Sequence, residues 1–192
     1  SKVGVGVSSS VIVNSGDTTA ELANNTQLVD AGAVDITADG TQSIDVIGIS
    51  AAAASSAGIA GVSTVLVSEN AVEALIGTGV QIVASGDVSL TANNDFETLS
   101  VAGGLGVGGS AGIGAAGSVV TVENVTRAVI ANGTSATDAV KISQAGVLNI
   151  DANASQAGKT FAVAGGVATE SAGVGAGEGV FVLDTTTEAL LG

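Results

Sequence analysis

Cysteine, proline, histidine, methionine, tryptophan and tyrosine are absent from these 192 residues, and phenylalanine occurs only at Phe96, Phe161 and Phe181. Without cysteine there is no disulfide and no thiol chemistry, and the compartment cannot be read as oxidising or reducing. Without histidine the many Ser and Thr hydroxyls lack the base of a catalytic triad. Few aromatics means that the side chains which supply most buried area in a compact core are missing. The interior must therefore be thin, filled by small and β-branched groups. Positive charge is also scarce. Lys2, Arg127, Lys141 and Lys159 stand alone, whereas gripping phosphate backbones needs clustered Lys and Arg, so nucleic acid is excluded. Eighteen acidic residues bring the net charge to −14, which keeps an otherwise apolar assembly in solution by self-repulsion.

What is abundant is small and aliphatic. The chain has 29 glycines, 46% hydrophobic residues and a mean hydropathy of +0.59, far from the disordered range. It also repeats. Ala20, Val34-Asp35-Ile36-Thr37-Ala38, Gly58-Ile59 and Val65-Leu66-Val67 return 54 places later as Ala74, Val88-Ser89-Leu90-Thr91-Ala92, Gly112-Ile113 and Val119-Val120-Thr121. A third pass starts on the same beat at Ala128 and slips by six or seven residues within Asn132–Asp138. It resumes at Leu148-Asn149-Ile150-Asp151-Ala152, Gly173-Val174 and Val180-Phe181-Val182. The repeats divide the chain into 1–16 (partial), 17–70, 71–124, 125–185 and 186–192 (the start of another). Because it begins and ends in mid-unit, the chain reads as one solenoid segment excised from a longer protein.

The local pattern has period two. Val34, Ile36 and Ala38 face one way and Asp35, Thr37 and Asp39 the other, as do Val88, Leu90 and Ala92 against Asp87, Ser89 and Thr91. Further strands are expected near 43–49, 58–67, 72–76 and 80–84. Ser15-Gly16-Asp17, Ala38-Asp39-Gly40, Ser85-Gly86-Asp87 and Asn132-Gly133 read as turns. The fold class expected is all-β, a parallel β-solenoid (β-helix) built from 54-residue repeats, with four or five short strands and two or three turns of coil per repeat. Stacking pairs nearly every backbone N–H and C=O with the neighbouring rung, which offsets an ordering cost of roughly 1–2 kcal/mol per residue. Asn and Thr are expected to stack at the corners, and the whole to form a cooperative rod. Transmembrane helices over the uncharged stretches 46–68 and 98–122 are disfavoured. The second stretch holds eight glycines, and the third copy carries Glu170 and Glu178.

Three motifs recur together: Asn70-x-x-x-Ala74-x-Ile76-Gly77, then Gly86-Asp87-Val88-x-Leu90-x-Ala92, then Val101–Gly104, seen again as Val163–Gly166. The combination resembles the repeat region of large filamentous adhesins of Gram-negative bacteria, haemagglutinin-like and leukotoxin-like exoproteins exported by autotransporter or two-partner (type V) secretion. The resemblance covers essentially the whole chain. It implies a β-solenoid stalk on the extracellular side of the cell surface, in cell adhesion and virulence, and it carries over no catalytic or receptor residue.

Candidate chemistry is sparse. Gly103–Gly109 lacks the Gly-Lys-Ser/Thr ending of a phosphate loop and reads as close backbone packing. The glycine runs have no Asp in the register of a calcium β-roll, although Asp17, Asp39, Asp87 and Asp138 leave weak Ca²⁺ binding open. Asp95 and Glu97 share a strand face, the minimum for acid–base work, but lack an aromatic platform beyond Phe96. Sequons stand at Asn24, Asn124, Asn132 and Asn153. No catalytic, cofactor or metal residue is assigned, and no enzyme activity or membrane insertion is expected. The expected function is a spacer projecting a distal binding region, its partners the neighbouring repeats. The alternative is lateral binding of a host glycan or protein or of a sister filament by self-association, or a weakly calcium-stabilised segment. A contiguous exposed apolar strip would favour lateral binding.

Overall fold

The computed structural model describes residues 2–192. Its regular elements are strands: β1 (Val3–Leu22), β2 (Gln27–Ala31), β3 (Val34–Ala54), β4 (Ala57–Ile76), β5 (Gln81–Ala84), β6 (Val88–Gly108), β7 (Ala111–Ile130), β8 (Lys141–Gln144), β9 (Leu148–Ala168) and β10 (Ala172–Leu191). They stack into three parallel sheets, β1-β4-β7-β10, β2-β5-β8 and β3-β6-β9. The chain is a parallel β-solenoid of 54-residue repeats.

One repeat makes one coil. Val3 pairs with Ala57, Ala57 with Ala111 and Val34 with Val88, each an offset of 54. The expectation of two or three turns per repeat is therefore wrong. Each coil has three strands, two of them 20 or 21 residues long, instead of four or five short ones. The error lay in reading glycine as a turn signal. Ser15-Gly16-Asp17 and Ala38-Asp39-Gly40 lie inside β1 and β3. Gly40 faces the interior, where a Cβ would collide with Val72, so it supplies room and not a change of direction. The chain reverses at Ser55-Ser56 and Gly109-Ser110, and turns corners near 23–26, 32–33, 77–80 and 85–87. The slip in the third pass is six residues in the first long wall, where Val88 pairs with Leu148 at an offset of 60. It becomes seven after the Thr169–Ser171 reversal, where Ala111 pairs with Ala172 at 61. The extra residues of the Asn132–Asp138 loop stand outside the ladder. Ala131 N donates to Ile76 O at 2.8 Å before it, and the Asp138 carbonyl accepts from Gly79 N at 2.6 Å after it.

In cross-section each coil is a wedge. The β3-β6-β9 wall runs from the base to a tip, the β1-β4-β7-β10 wall returns, and β2-β5-β8 closes the base. Interior side chains shrink along the way. At the base Val72, Ile76, Ile82, Val88, Leu90 and Ile130 form the largest cluster. Midway, Phe96 packs with Val46, Leu66, Val120 and Val122. Nearer the tip only Val62, Ala102 and Ala116 remain. Beyond them the walls meet at glycines, with a single methyl at Ala52, Ala54, Ala60, Ala164 and Ala168. A methyl on Gly106 would overlap the Ile113 carbonyl, one on Gly108 that of Ala111, and one on Gly114 that of Gly165. The glycine hydrogens point at those oxygens, in the manner of the weak Cα–H···O contacts that join closely packed backbones.

At roughly 3.3 Å per residue the 20-residue β4 spans about 66 Å, while four rungs at about 4.8 Å spacing rise only about 14 Å. The segment is a thin slab, wider than it is tall, and not the rod expected.

The seam separates two classes of glycine. Gly106→Ala and Gly114→Ala should each destabilise by about 1–3 kcal/mol, the usual penalty of overpacking. Gly61→Ala and Gly117→Ala point into open space and should be neutral or stabilising by about 0.5 kcal/mol. Urea denaturation of the four variants checks this, and equal effects in both classes would contradict the backbone seam.

Candidate functional site

The residues singled out for chemistry do not meet. Asp95 and Glu97 lie exposed on the outer face of β6, as expected from their spacing. Their neighbours along the stack are Thr41 and Ser155, and Ser43 and Ala157, so no second carboxylate faces either across the rungs. Asp17 and Asp39 are on the outsides of two different walls, within β1 and β3. Asp87, at a corner, accepts a 2.7 Å bond on Oδ1 from Val147 N, and Asp138 sits in the inserted loop. Among the described residues no three of Asp, Glu, His and Cys are grouped to hold a metal ion. No helix among them is long and apolar enough to cross a membrane, and the uncharged stretches 46–68 and 98–122 are wall strands and a tip turn. Of the sequons, Asn124 is fully buried, while Asn24, Asn132 and Asn153 are exposed.

Polar side chains stack where the sequence did not suggest. Corner stacking does occur at Asn24, whose Oδ1 accepts from Thr78 N at 2.8 Å. The longest chain, however, runs inside the wedge. Thr64, Ser100, Ser118 and Thr160 alternate between the two walls, with oxygen–oxygen distances of 3.1, 2.7 and 2.7 Å. Six residues towards the base the same cross-wall register brings together Asn70, Asn94 and Asn124. Asn70 Nδ2 donates to Asn94 Oδ1 at 3.0 Å. Asn124, equally buried, has no partner on either amide atom. The zigzag fails there because Ala154 stands in β9 where β6 has Asn94. Buried amides of this kind hold the register, since a strand slipped by one residue would turn them outward.

The outer faces are divided by charge. Towards the base they carry the carboxylates. Asp39, Asn93 and Asn153 form one external ladder, with bonds of 2.6 and 3.1 Å. Arg127 lies between Glu73 and Glu188, at 3.6 and 3.1 Å. With its side chain 37% exposed, this bridge adds little stability, about 0–1 kcal/mol. Towards the tip both faces are largely apolar, with Glu178 on the outermost rung. On the β1-β4-β7-β10 wall they show Val5, Ile59, Ile113 and Val174, then Val11, Val65, Val119 and Val180. On the other wall they show Ile47, Ile49, Val101, Leu105, Phe161 and Val163. This strip is what sequence reasoning missed. Its signal was present in Val3-Gly4-Val5-Gly6-Val7, where glycine and not valine must face the seam.

In comparisons with known proteins, no family model, curated protein or solved structure matches the chain.

Two outcomes test this description. Asn70→Ala strands Asn94 Oδ1 in the interior and should cost about 1–3 kcal/mol, whereas Asn124→Ala strands no partner and should cost less. Denaturant midpoints rank the pair. In the inserted loop, bonds from the Ser135 and Thr134 hydroxyls and from the Ser135 N–H hold the Asp138 carboxyl well below the usual carboxylate range. A folded-state value below the unfolded one, about 3.9, means that the carboxylate orders the loop above that pH. The contribution fades as pH falls below it towards the folded value. An NMR titration of the Asp138 carboxyl carbon should therefore show a midpoint well under 3.9, and a midpoint near 4 would contradict these bonds.

Proposed function

We propose that this chain is a structural segment in the stalk of a secreted bacterial surface adhesin, of the filamentous, type V-exported kind that its repeats resemble. It sits outside the cell and holds a distal binding region away from it. The observation that carries this reading is the uninterrupted in-register stack, in which each coil uses its neighbours to satisfy its backbone. The reactive side chains of the sequence are dispersed over separate walls and corners, which suits a mechanical role and not a chemical one. Each coil adds only about 4.8 Å of height. The 54-residue coil is thus an expensive way to gain length but an effective way to gain stiffness, because a wide section resists bending in its own plane.

Lateral binding is a second reading, favoured by the apolar tip faces. Aliphatic side chains in a flat array suit another β-sheet better than a sugar, which is recognised through aromatic stacking and polar groups.

The test is excision of one whole coil, residues 57–110, from the full exoprotein that this reading implies. Ser56 then joins Ala111, its neighbour along the next reversal. The stack should refold with its strand content per residue unchanged, its height reduced by about 4.8 Å and its distal adhesion retained. Loss of adhesion from a folded, correctly exported protein would overturn the spacer role.

A further inference from the structure

The outer face of the β1-β4-β7-β10 wall, over its half nearest the tip, has a form that the spacer role leaves unused. Its outward residues are the odd positions of 3–13, 57–67 and 111–121, and the even positions of 172–182. Of these only Glu178 is charged. The exposure is not a consequence of lying at the end of the stack. On the two inner rungs Ile59 is 38% and Ile113 41% exposed. Eleven residues at about 3.3 Å by four rungs at about 4.8 Å outline a face of about 700 Å², apolar except at Ser9, Ser63, Thr121 and Glu178. That exceeds the roughly 300–600 Å² of the largest patch on a typical monomer and approaches the roughly 800 Å² per partner of a stable interface.

The face also has relief. Val5, Ile59, Ile113 and Val174 form one ridge along the stack, and Val11, Val65, Val119 and Val180 another. Between them, on the inner rungs, lies a furrow floored by Gly61, Ser63, Ala115 and Gly117. A Cβ on Gly61 or Gly117 would meet nothing within 4 Å, so nothing inside this molecule requires glycine there. Glycine within a strand weakens it, and an outward one with no internal cause marks a place where another backbone or surface comes close.

We propose that this face packs against the same face of a second copy of the chain. Charge, area and periodicity together suit this face to a second copy. Two bodies of net charge −14 associate most readily through surfaces poor in carboxylates, and this is the larger of the two such surfaces, with Glu178 alone on its outermost rung. A twofold axis parallel to the stack sets the Ile59–Ile113 ridge of each copy in the Gly61–Gly117 furrow of the other. It also points the two acidic bases in opposite directions. Both surfaces then repeat at the same rung spacing, so the contact gains area with every added coil. The arrangement is an aligned sheet-on-sheet pair with interdigitating side chains.

Sedimentation velocity on the 192-residue chain over a range of concentrations reads the outcome, comparing the parent with Ile59→Lys/Ile113→Lys, which charges the ridge set in the partner's furrow. A second variant, Thr37→Lys/Thr91→Lys, changes net charge equally on the opposite wall. The parent and the Thr37/Thr91 variant should dimerise alike. The Ile59/Ile113 variant should dissociate at least about tenfold more readily, with unchanged circular dichroism and thermal melting. A dimer that survives both pairs of substitutions joins by its strand edges or its other face and overturns the proposal. So does a parent that stays monomeric throughout, including one that instead binds neutral phosphatidylcholine vesicles through this face.

Discussion

The contact on which the rest of the structure depends is the backbone seam at the tip, where two parallel sheets approach until a methyl group would not fit at its glycines. Interior glycines allow it on both sides, Gly104, Gly106 and Gly108 on one wall and Gly112 and Gly114 on the other. Once the walls meet there, the diverging section towards the base must be filled by progressively larger groups. The sequence supplies them in order: Ala102 and Ala116, then Ser100 and Ser118, then Phe96 and Leu66, then Leu90 and Ile76. Replacing any of these by a neighbour's size would open a void or force the walls apart, since interiors are packed to near-crystalline density.

The seam also reverses the ordinary sense of hydrophobic patterning. Burial usually sorts large apolar groups inwards, but a closed seam admits only the hydrogen of glycine or, at Ala52, Ala54, Ala60, Ala164 and Ala168, a single methyl. Valine and isoleucine in these strands are therefore displaced to the outside, which makes the tip half of the slab apolar on both faces. Apart from Glu178, the charge of the chain is left largely to the base half, the corners, the loop and the tip turn. A structural necessity of the interior thus creates an exterior with the properties of an interface.

Much of the fold was legible because a repeat fixes its own register. The 54-residue period, the strand alternation at Val34–Ala38 and Val88–Ala92, and the looping out of Asn132–Asp138 all follow from aligned residues, and the structure bears them out. The number of coils per repeat was not legible. Gly16 and Gly40 have the composition of turns but occupy the interior beside Asn70 and Val72, and whether a glycine bends a chain or makes room depends on the opposite wall. The buried Thr64–Thr160 hydroxyl chain was hidden for the same reason, because its partners lie 18 to 42 residues apart across the wedge. Dispersion of the candidate carboxylates was foreseeable from Asp95 and Glu97, whose counterparts in the other repeats carry no charge.

The most direct test of one coil per repeat uses the absence of native cysteine. Thr37 and Thr91 are register partners on the outer face of adjacent strands. With one coil per repeat their Cα atoms lie about 4.8 Å apart, within the reach of a disulfide. With two or three coils they would lie about 10–14 Å apart, beyond the limit of about 7 Å. Oxidation of the Thr37→Cys/Thr91→Cys chain should give an intramolecular disulfide in high yield, identified by peptide mass. Free thiols in a folded, oxidised sample would contradict the account.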